Sequence, residues 1–410
     1  MTVFRLTYRR CVECTPSSHR QGWCAETDGR TFVLKMKPLG QTALAVAVAV
    51  LAVSGCGAKT GNTADSAAAA ATVLPNDELL AKAAAAVAEA SKFDQEFPMP
   101  SEPASASGKK IAVMAGGFSA AIHAEMADYM ADAVRTSGAT LMGPYDGKFT
   151  PSTQGGYVDQ AVQEAADGIV LFAIDVNTIK APIEQAIAAG LTVTCAFCYS
   201  GGYREKGVVD VTPDFEEQGE VIAWNIIDRT QGKASVLVAD EPSQTGVVRR
   251  VAGASAVLDQ CESCSHEELV IPAADLAQPG PPQFTALLSS RASDFTDVIG
   301  YADALAAPML KTLETSGNSG PAVSSYDAEE AVVQKLTTKS SMSVANMAAP
   351  MEFAAWAAVD QAIRGAAGLR PWDSTDLPDV LLTPENVGDY KAILEPQTDW
   401  KAEFTELWKS

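Results

Sequence analysis

Short apolar runs alternate with longer amphipathic segments along most of the chain, and this alternation limits the folds that it can adopt. The apolar runs predict nine strands, at 111–115, 168–174, 191–197, 207–211, 234–239, 268–273, 297–302, 322–326 and 341–346. The amphipathic segments predict helices at 120–136, 156–166, 181–189, 214–230, 247–259, 282–291, 303–315, 328–338 and 350–364.

Strands that are apolar throughout indicate a sheet that is covered on both faces. Because helices alternate with these strands, each crossover is expected to be right-handed and the strands parallel. Nine strands are too many for one small sheet. The sequence therefore predicts an α/β fold with two doubly wound parallel-sheet lobes. In such a fold a ligand binds beyond the carboxyl ends of the strands.

The region before Cys56 has a pattern typical of export. A basic start at Lys35 leads into an apolar run at 43–53, and small residues precede Cys56. The run is too short to span a bilayer but suits the central part of an export signal. Residues 36–55 are therefore interpreted as a lipoprotein signal peptide, with lipidation of Cys56. A short buried helix is the alternative.

Residues 1–35 are interpreted as a start-site extension, with Met1 and Met36 as the alternative initiators. On this hypothesis the mature chain is extracytoplasmic and lipid-anchored to the cell membrane. Residues 56–108 are expected to form a tether that contains a short helix, capped by Asn76, and a Pro/Ser linker. The compact domain is then expected to begin at Lys109.

The acidic composition argues against nucleic acid as a partner. The whole chain has a formal charge of −21, and removal of residues 1–55, with seven basic and three acidic side chains, changes it to −25. A surface of this charge repels phosphate backbones. No apolar run after Cys56 is long enough to cross a membrane.

Beyond Cys56, four cysteines form two C-x-x-C pairs, Cys195 with Cys198 and Cys261 with Cys264. Outside the cytoplasm disulfides are the default interpretation. Of the three possible connectivities, we favour the two local pairings. The first requires the strand at 191–197 to bend, because residues three apart in a strand are too distant to bridge. A redox-active motif and a zinc site remain alternatives.

Several segments resemble the sugar-type (type I) periplasmic solute-binding proteins of ABC importers. The resemblance covers about residues 109–372 and rests on the order and spacing of its parts. It is carried by DGKFTPSTQGGYVDQAVQEAADGIVLFAID (146–175), RRVAGASAVLD (249–259), VIGYADALAAPMLKTLE (298–314), SSYDAEEAVVQKL (324–336) and SMSVANMAAPMEFAAWAAVDQAIRG (341–365).

The resemblance implies two lobes joined by a three-strand hinge, with the ligand held between them. The N-lobe would comprise residues 109–212 and 347–375, and the C-lobe residues 213–346 and 376–410. LacI-type repressors share this core but carry a DNA-binding element ahead of it. Here a lipoprotein signal occupies that place, so the repressor interpretation is rejected.

The resemblance also implies ligand contacts in the C-lobe. Asp327 matches the family's ligand-binding Asp, although capping of the following helix is an alternative role. Arg250 matches the family's ligand-binding Arg, with Arg249 or a solvated helix charge as alternatives. Asn346 stands where the family has a hinge Gln. Asp303 matches an Asp of the family, with helix capping as its alternative.

In the N-lobe, Phe118 and His123 lie where the family presents aromatic residues, and a packed helix-face histidine is the alternative for His123. Asp175 ends a predicted strand and is expected to face the cleft. Phe197 stands where sugar binders usually have a carboxylate, and Tyr199 could add stacking surface. The site is therefore expected to be more apolar than a typical sugar site.

These observations predict a monomeric substrate-binding lipoprotein that delivers a small polar ligand, with a sugar as the best choice, to an ABC permease. A receptor of the same fold that signals to a membrane kinase, or a binder of a non-sugar solute, is the alternative. No hydrolase motif is present, so no enzyme is predicted, although the C-x-x-C pairs leave a thiol oxidoreductase open. No cofactor and no metal are expected.

Overall fold

A computed structural model describes residues 72–93, 96–278, 280–316, 320–338, 342–388, 390 and 394–409. The predicted extension, signal peptide and lipidated Cys56 lie outside the described residues. Within those residues, no helix has the length and apolar character needed to cross a bilayer.

The N-lobe contains a five-stranded parallel sheet in the order β2-β1-β3-β4-β5. Its strands are β1 (Lys110–Ala115), β2 (Thr140–Asp146), β3 (Gly168–Phe172), β4 (Thr192–Ala196) and β5 (Val209–Val211). The sequence analysis missed β2, because this edge strand buries only Met142 and includes Pro144. An edge position tolerates a proline, since one side of the strand makes no ladder hydrogen bonds.

The C-lobe contains a six-stranded sheet in the order β11-β10-β9-β8-β6-β7, in which only β11 is antiparallel. Its strands are β6 (Ser235–Asp240), β7 (Ser265–Val270), β8 (Asp297–Ile299), β9 (Ala322–Tyr326), β10 (Ser343–Ala348) and β11 (Val380–Leu382). The prediction of an α/β fold with two parallel-sheet lobes is confirmed.

Helices cover the sheets and the segments around them. They are α1 (Asn76–Ala90), α2 (Ala121–Ser137), α3 (Pro151–Gln163), α4 (Lys180–Ala188), α5 (Phe215–Thr230), α6 (Thr245–Leu258), α7 (Pro282–Arg291), α8 (Asp303–Ser316), α9 (Glu330–Thr337), α10 (Met351–Ala366) and α11 (Trp400–Trp408). Asn76 is the first residue of α1 and makes no capping hydrogen bond, so its predicted role as a cap was wrong.

The compact body begins before Lys109. Helix α1 packs against α5 of the C-lobe and buries Leu79 and Ala83. The expected Pro/Ser linker packs against the N-lobe, where the Ala104 N–H donates to the Leu407 carbonyl at 2.8 Å. These contacts correct the prediction that the whole of residues 56–108 is a tether, because apolar residues of the segment are buried in both lobes.

Helix α11 corrects the predicted content of the C-lobe. Its residues Trp400, Phe404 and Trp408 lie on one helical face at a spacing of four, and all are buried. They pack against the aromatic residues of α10, with Trp356 and Trp408 stacked at 5.4 Å between centroids. Because α10 covers the N-lobe sheet, α11 belongs to the N-lobe, whereas β11 joins the C-lobe sheet.

The lobes are joined at residues 212–214, 349–350 and 367–379, as a three-strand hinge requires. Two more segments pass between them in this chain, one from α1 to β1 and the other from β11 to α11. Helix α1 packs on the C-lobe although the next strand, β1, belongs to the N-lobe. Helix α11 packs on the N-lobe although the preceding strand, β11, belongs to the C-lobe. The chain must therefore cross between the lobes near both ends of the described region.

Candidate ligand-binding cleft

A cavity of about 110 Å³ lies where the carboxyl ends of both parallel sheets meet. Residues at or just beyond the ends of β3, β4, β8 and β9 line it, namely Phe172, Phe197, Tyr301 and Asp327. This is the position at which doubly wound α/β folds bind their ligands. The cavity is therefore the candidate binding site.

Several residues at this cavity have left-handed backbone. Phe149, Ala173, Phe197 and Asp327 have φ of 47°, 50°, 54° and 94°. Such conformations are uncommon for residues other than glycine and concentrate at functional sites. Ala173 and Phe197 each turn the chain just after a strand, so that Asp175 and Tyr199 face the cavity.

The turn at Phe197 accompanies a closed C-x-x-C pair. Cys195 lies in β4, one residue before its end, and is joined to Cys198, with 5.5 Å between their Cα atoms. Cys261 and Cys264 are joined in the same local way, with 5.3 Å between Cα atoms. Neither pair provides a free thiol at the cavity, and both pairings are those favoured from the sequence.

The N-lobe wall of the cavity is built around His123. The ring is buried, and its Nδ1 accepts the Gly117 N–H at 3.3 Å. Phe149 and Phe172 pack edge-on against it, each at 4.9 Å between centroids. Burial removes the hydration of the charged form and lowers the pKa of His123 to about 3. The imidazole is therefore neutral and carries its proton on Nε2.

Arg250 dominates the C-lobe wall and is nearly inaccessible to solvent, with 7% of its side chain exposed. Its Nε donates to Gln218 Oε1 at 2.9 Å, and Nη1 to the Tyr301 carbonyl at 2.8 Å. Its Nη2 donates to Asp327 Oδ1 at 3.0 Å. The guanidinium is thereby held in one orientation, and Asp327 neutralises its charge.

Two contacts join the lobes across the cavity. Asp175 Oδ2 accepts the backbone N–H of Thr245 at 2.6 Å, which places an N-lobe carboxylate at the N-terminus of α6. The ring of Tyr199 lies between Arg204 of the N-lobe at 4.8 Å and Arg249 of the C-lobe at 4.4 Å. The structure therefore represents the closed arrangement.

Six of the nine residues suggested from the sequence line this cavity, and three do not. The lining members are His123, Asp175, Phe197, Tyr199, Arg250 and Asp327. Phe118 packs against the N-lobe core instead, and its N–H donates to Asp146 Oδ1 at 2.9 Å. The placement of Phe118 corrects its assignment as a cavity residue.

Asp303 and Asn346 lie beneath the cavity and hold the loop that follows β9. Asp303 Oδ2 accepts the Glu329 N–H at 2.7 Å, and Oδ1 accepts Asn346 Nδ2 at 2.7 Å. Asn346 Oδ1 accepts the Ala328 N–H at 2.9 Å. Burial and the nearby charge of Asp327 raise the pKa of Asp303 well above its usual range. Both residues therefore position Asp327, and neither lines the cavity as the sequence analysis expected.

Sequence reasoning missed several lining residues, including Phe149, Phe215, Glu241 and Thr245. Glu241 stabilises the loop after β6, since its Oε1 accepts the Ser243 hydroxyl at 2.7 Å. Glu241 stands two residues after the predicted strand at 234–239, so a carboxylate close to the end of that strand was a usable signal. Phe149 offered none, because it lies in a loop after the strand that was not predicted.

Two α/β lobes that meet around a cavity define the molecule as a two-lobed ligand-binding protein. Residues 111–368 match the family model described as a periplasmic binding protein domain, and the chain belongs to this family. No curated protein matches the chain. Among the described residues, no group of three or more His, Cys, Asp and Glu side chains could hold a metal ion.

Solved structures share the fold at low sequence identity. An ABC sugar transporter subunit from Rhodobacter sphaeroides is 19% identical, covering 69% of this chain and 100% of its own, with a TM-score of 0.62. A 5-methylthioribose-bound transporter protein from Thermotoga lettingae is 15% identical over 72% and 98%, with a TM-score of 0.63. An Agrobacterium vitis protein with bound allitol is 16% identical over 70% and 99%, also with 0.63.

Proposed function

We propose that the chain is an extracytoplasmic solute-binding protein of an ABC importer, which closes its lobes on a sugar or polyol and releases it unchanged. The observation that carries the proposal is the cavity between the lobes, with the Arg250–Asp327 pair in its wall. A planar guanidinium and a carboxylate can bind several hydroxyls in fixed directions. Family membership and the sugar and polyol ligands of the solved structures support this function.

The proposal extends to the region outside the described residues. Lipid on Cys56 would hold the monomeric protein at the outer face of the cell membrane, next to its permease. Closure would bring surfaces of both lobes into a fixed relation that the permease can recognise. The segments at 212–214, 349–350 and 367–379 would serve as the hinge.

Isothermal titration with D-ribose, D-arabinose, myo-inositol and allitol tests the function. Arg250→Lys should weaken the tightest of these ligands at least tenfold, because an ammonium group cannot reproduce the three directed bonds of the guanidinium. Arg291→Lys is the matched control, since Arg291 is an exposed, ion-paired arginine on α7. Equal affinity in wild type and Arg250→Lys, or no binding of any polyol or sugar derivative, would refute the proposal.

A further inference from the structure

Gln218 connects the cavity wall to a residue outside the cavity. Its side chain is buried in the first turn of α5, and Arg250 Nε donates to its Oε1 at 2.9 Å. An arginine side chain only donates hydrogen bonds, so the amide must present its oxygen to Arg250 and its nitrogen to another acceptor. That acceptor is Asp379, whose Oδ2 lies 2.7 Å from Gln218 Nε2. The amide is therefore held at both ends.

Asp379 belongs to the hinge. It is the last residue of the segment 367–379 and comes directly before β11. This segment is bonded to the first hinge segment, since the Thr212 N–H donates to the Ser374 carbonyl and the Leu377 N–H to the Thr212 carbonyl, both at 3.0 Å. Neither Asp379 nor its amide partner is among the residues that line the cavity. Asp379 therefore reaches the cavity through the side chain of that partner.

Arg250 depends on Gln218 for its orientation. The other two bonds of the guanidinium go to the Tyr301 carbonyl and to Asp327, which both follow strands of the C-lobe sheet. The Gln218 bond ties the guanidinium to α5, where a Cβ atom on Gly219 would overlap the Arg250 carbonyl. Because the two helix backbones are in contact there, a shift of the amide cannot be absorbed by movement of α6. It must change the direction of the guanidinium or leave a buried donor without its partner, which is unfavourable.

We propose that Asp379 is a positioning residue for ligand binding, which acts through the Gln218 amide to hold the Arg250 guanidinium in its binding direction. Asp379 itself does not contact the ligand. This inference rests on the proposed function and adds a hinge residue to it, so that the direction of the cavity arginine depends on the placement of the third hinge segment.

Alanine and asparagine variants of Asp379 test this connection. Isothermal titration uses the tightest of D-ribose, D-arabinose, myo-inositol and allitol. Asp379→Ala should weaken binding about fivefold, the scale of one lost hydrogen bond. Asp379→Asn keeps an acceptor for Gln218 and should recover most of this affinity. Asp376→Ala is the matched control, because Asp376 is an exposed carboxylate of the same hinge segment, and should change the affinity less than about twofold. Wild-type affinity in a folded Asp379→Ala protein would overturn the inference.

The ionisation of Asp379 provides a readout that a loss of stability alone would not move. Burial raises the pKa of Asp379 to about 7 and the charges of Glu217 and Asp376 add to this rise, whereas the Gln218 bond and Arg250 lower it. Gln218→Glu would still accept the Arg250 Nε, but it would set a second carboxyl oxygen against Asp379. The pKa of Asp379 in this variant should rise further, and the two carboxyl groups should share a proton at lower pH.

Gln218→Glu should therefore bind like wild type near pH 6 and lose affinity relative to wild type, about fivefold, near pH 9, where both carboxyl groups are ionised. The double variant Gln218→Glu/Asp379→Asn restores a donor opposite the new carboxylate and should bind like wild type at both pH values. A loss in Gln218→Glu that is equal at both pH values, or that the double variant does not recover, overturns the inference but leaves the proposed function standing. No binding of any of the four ligands by wild type overturns both.

Discussion

Gly253→Ala should destabilise the protein, although alanine is the better helix former. Gly253 lies on α6 where this helix crosses α5, and a Cβ atom there would overlap the Glu216 carbonyl. The partner position, Gly219 on α5, is packed in the same way against the carbonyl of Arg250. The backbones of the two helices therefore approach too closely for any side chain at these positions.

The magnitude follows from two opposing effects. Alanine raises helix stability by about 1 kcal/mol relative to glycine. The overlap with the backbone of α5 forces the helices apart, and overpacking of this kind costs about 1–3 kcal/mol. Because the obstructing atoms are backbone, they cannot rotate away, and the upper part of that range applies. We expect a net loss of about 1–2 kcal/mol.

Gly156→Ala provides a matched control on another helix. Gly156 lies inside α3, is exposed, and has open space where its Cβ would be. The same substitution should therefore stabilise the protein by about 0.5–1 kcal/mol. Both variants are compared with wild type by thermal unfolding, in which 1 kcal/mol corresponds to roughly 1–2 °C for a folded region this large.

The crossing also positions Arg250 in the cavity wall, because the Arg250 Nε donates to Gln218 on α5. Separation of the helices should lengthen this bond, so Gly253→Ala should also weaken ligand binding. A Gly253→Ala protein with a melting temperature at or above that of wild type would refute the reasoning, because propensity alone would then decide the outcome.

Three further predictions concern pH, closure and the cysteines. Burial and the charge of Glu352 raise the pKa of Glu395 to about 8, so the folded state holds this proton more tightly than the unfolded chain does. Ionisation of Glu395 should therefore lower the free energy of unfolding as the pH rises from about 4.5 to 8. Glu395→Gln should flatten this part of the pH profile, and an unchanged slope would contradict the prediction. Tyr199→Ala removes the ring between two arginines of opposite lobes and should weaken ligand binding about fivefold. Tyr157→Ala removes a ring that is stacked within the N-lobe and should leave the affinity unchanged. Equal titration curves for the two variants would exclude a role of Tyr199 in lobe closure. Thiol counting on the unfolded mature chain without reductant should find no free thiol from the two C-x-x-C pairs, and four reactive thiols would remove both disulfides.

Local pattern determined much of the architecture. The strands with continuous apolar runs, such as β1 and β3, were predicted because burial on both faces imposes such a run. The helices between them were predicted from their periodicity. Asp175 ends such a strand and was predicted to face the cleft, because parallel strands bring their carboxyl ends to one edge, whereas Asp327 was predicted from the family resemblance.

Tertiary packing decided what local pattern does not encode. The edge strand β2 buries too few residues to require an apolar run. The sequence pattern of α11 is that of an ordinary amphipathic segment, and only the packing of its aromatic face against α10 assigns it to the N-lobe. Asp303 and Asn346 stand at the expected positions, yet their hydrogen bonds direct them to the loop after β9.

The sequence alone determined that this chain forms two parallel-sheet lobes with polar residues at the strand ends, since periodicity and strand direction are local properties. Only the tertiary structure decided which of those residues line the cavity and which support it, and that Phe149 and Phe172 line the same cavity as the Arg250–Asp327 pair. The physical reason is that a side chain's direction at a strand end depends on a single backbone turn. That turn is set by long-range packing, as at Phe197 and Asp327.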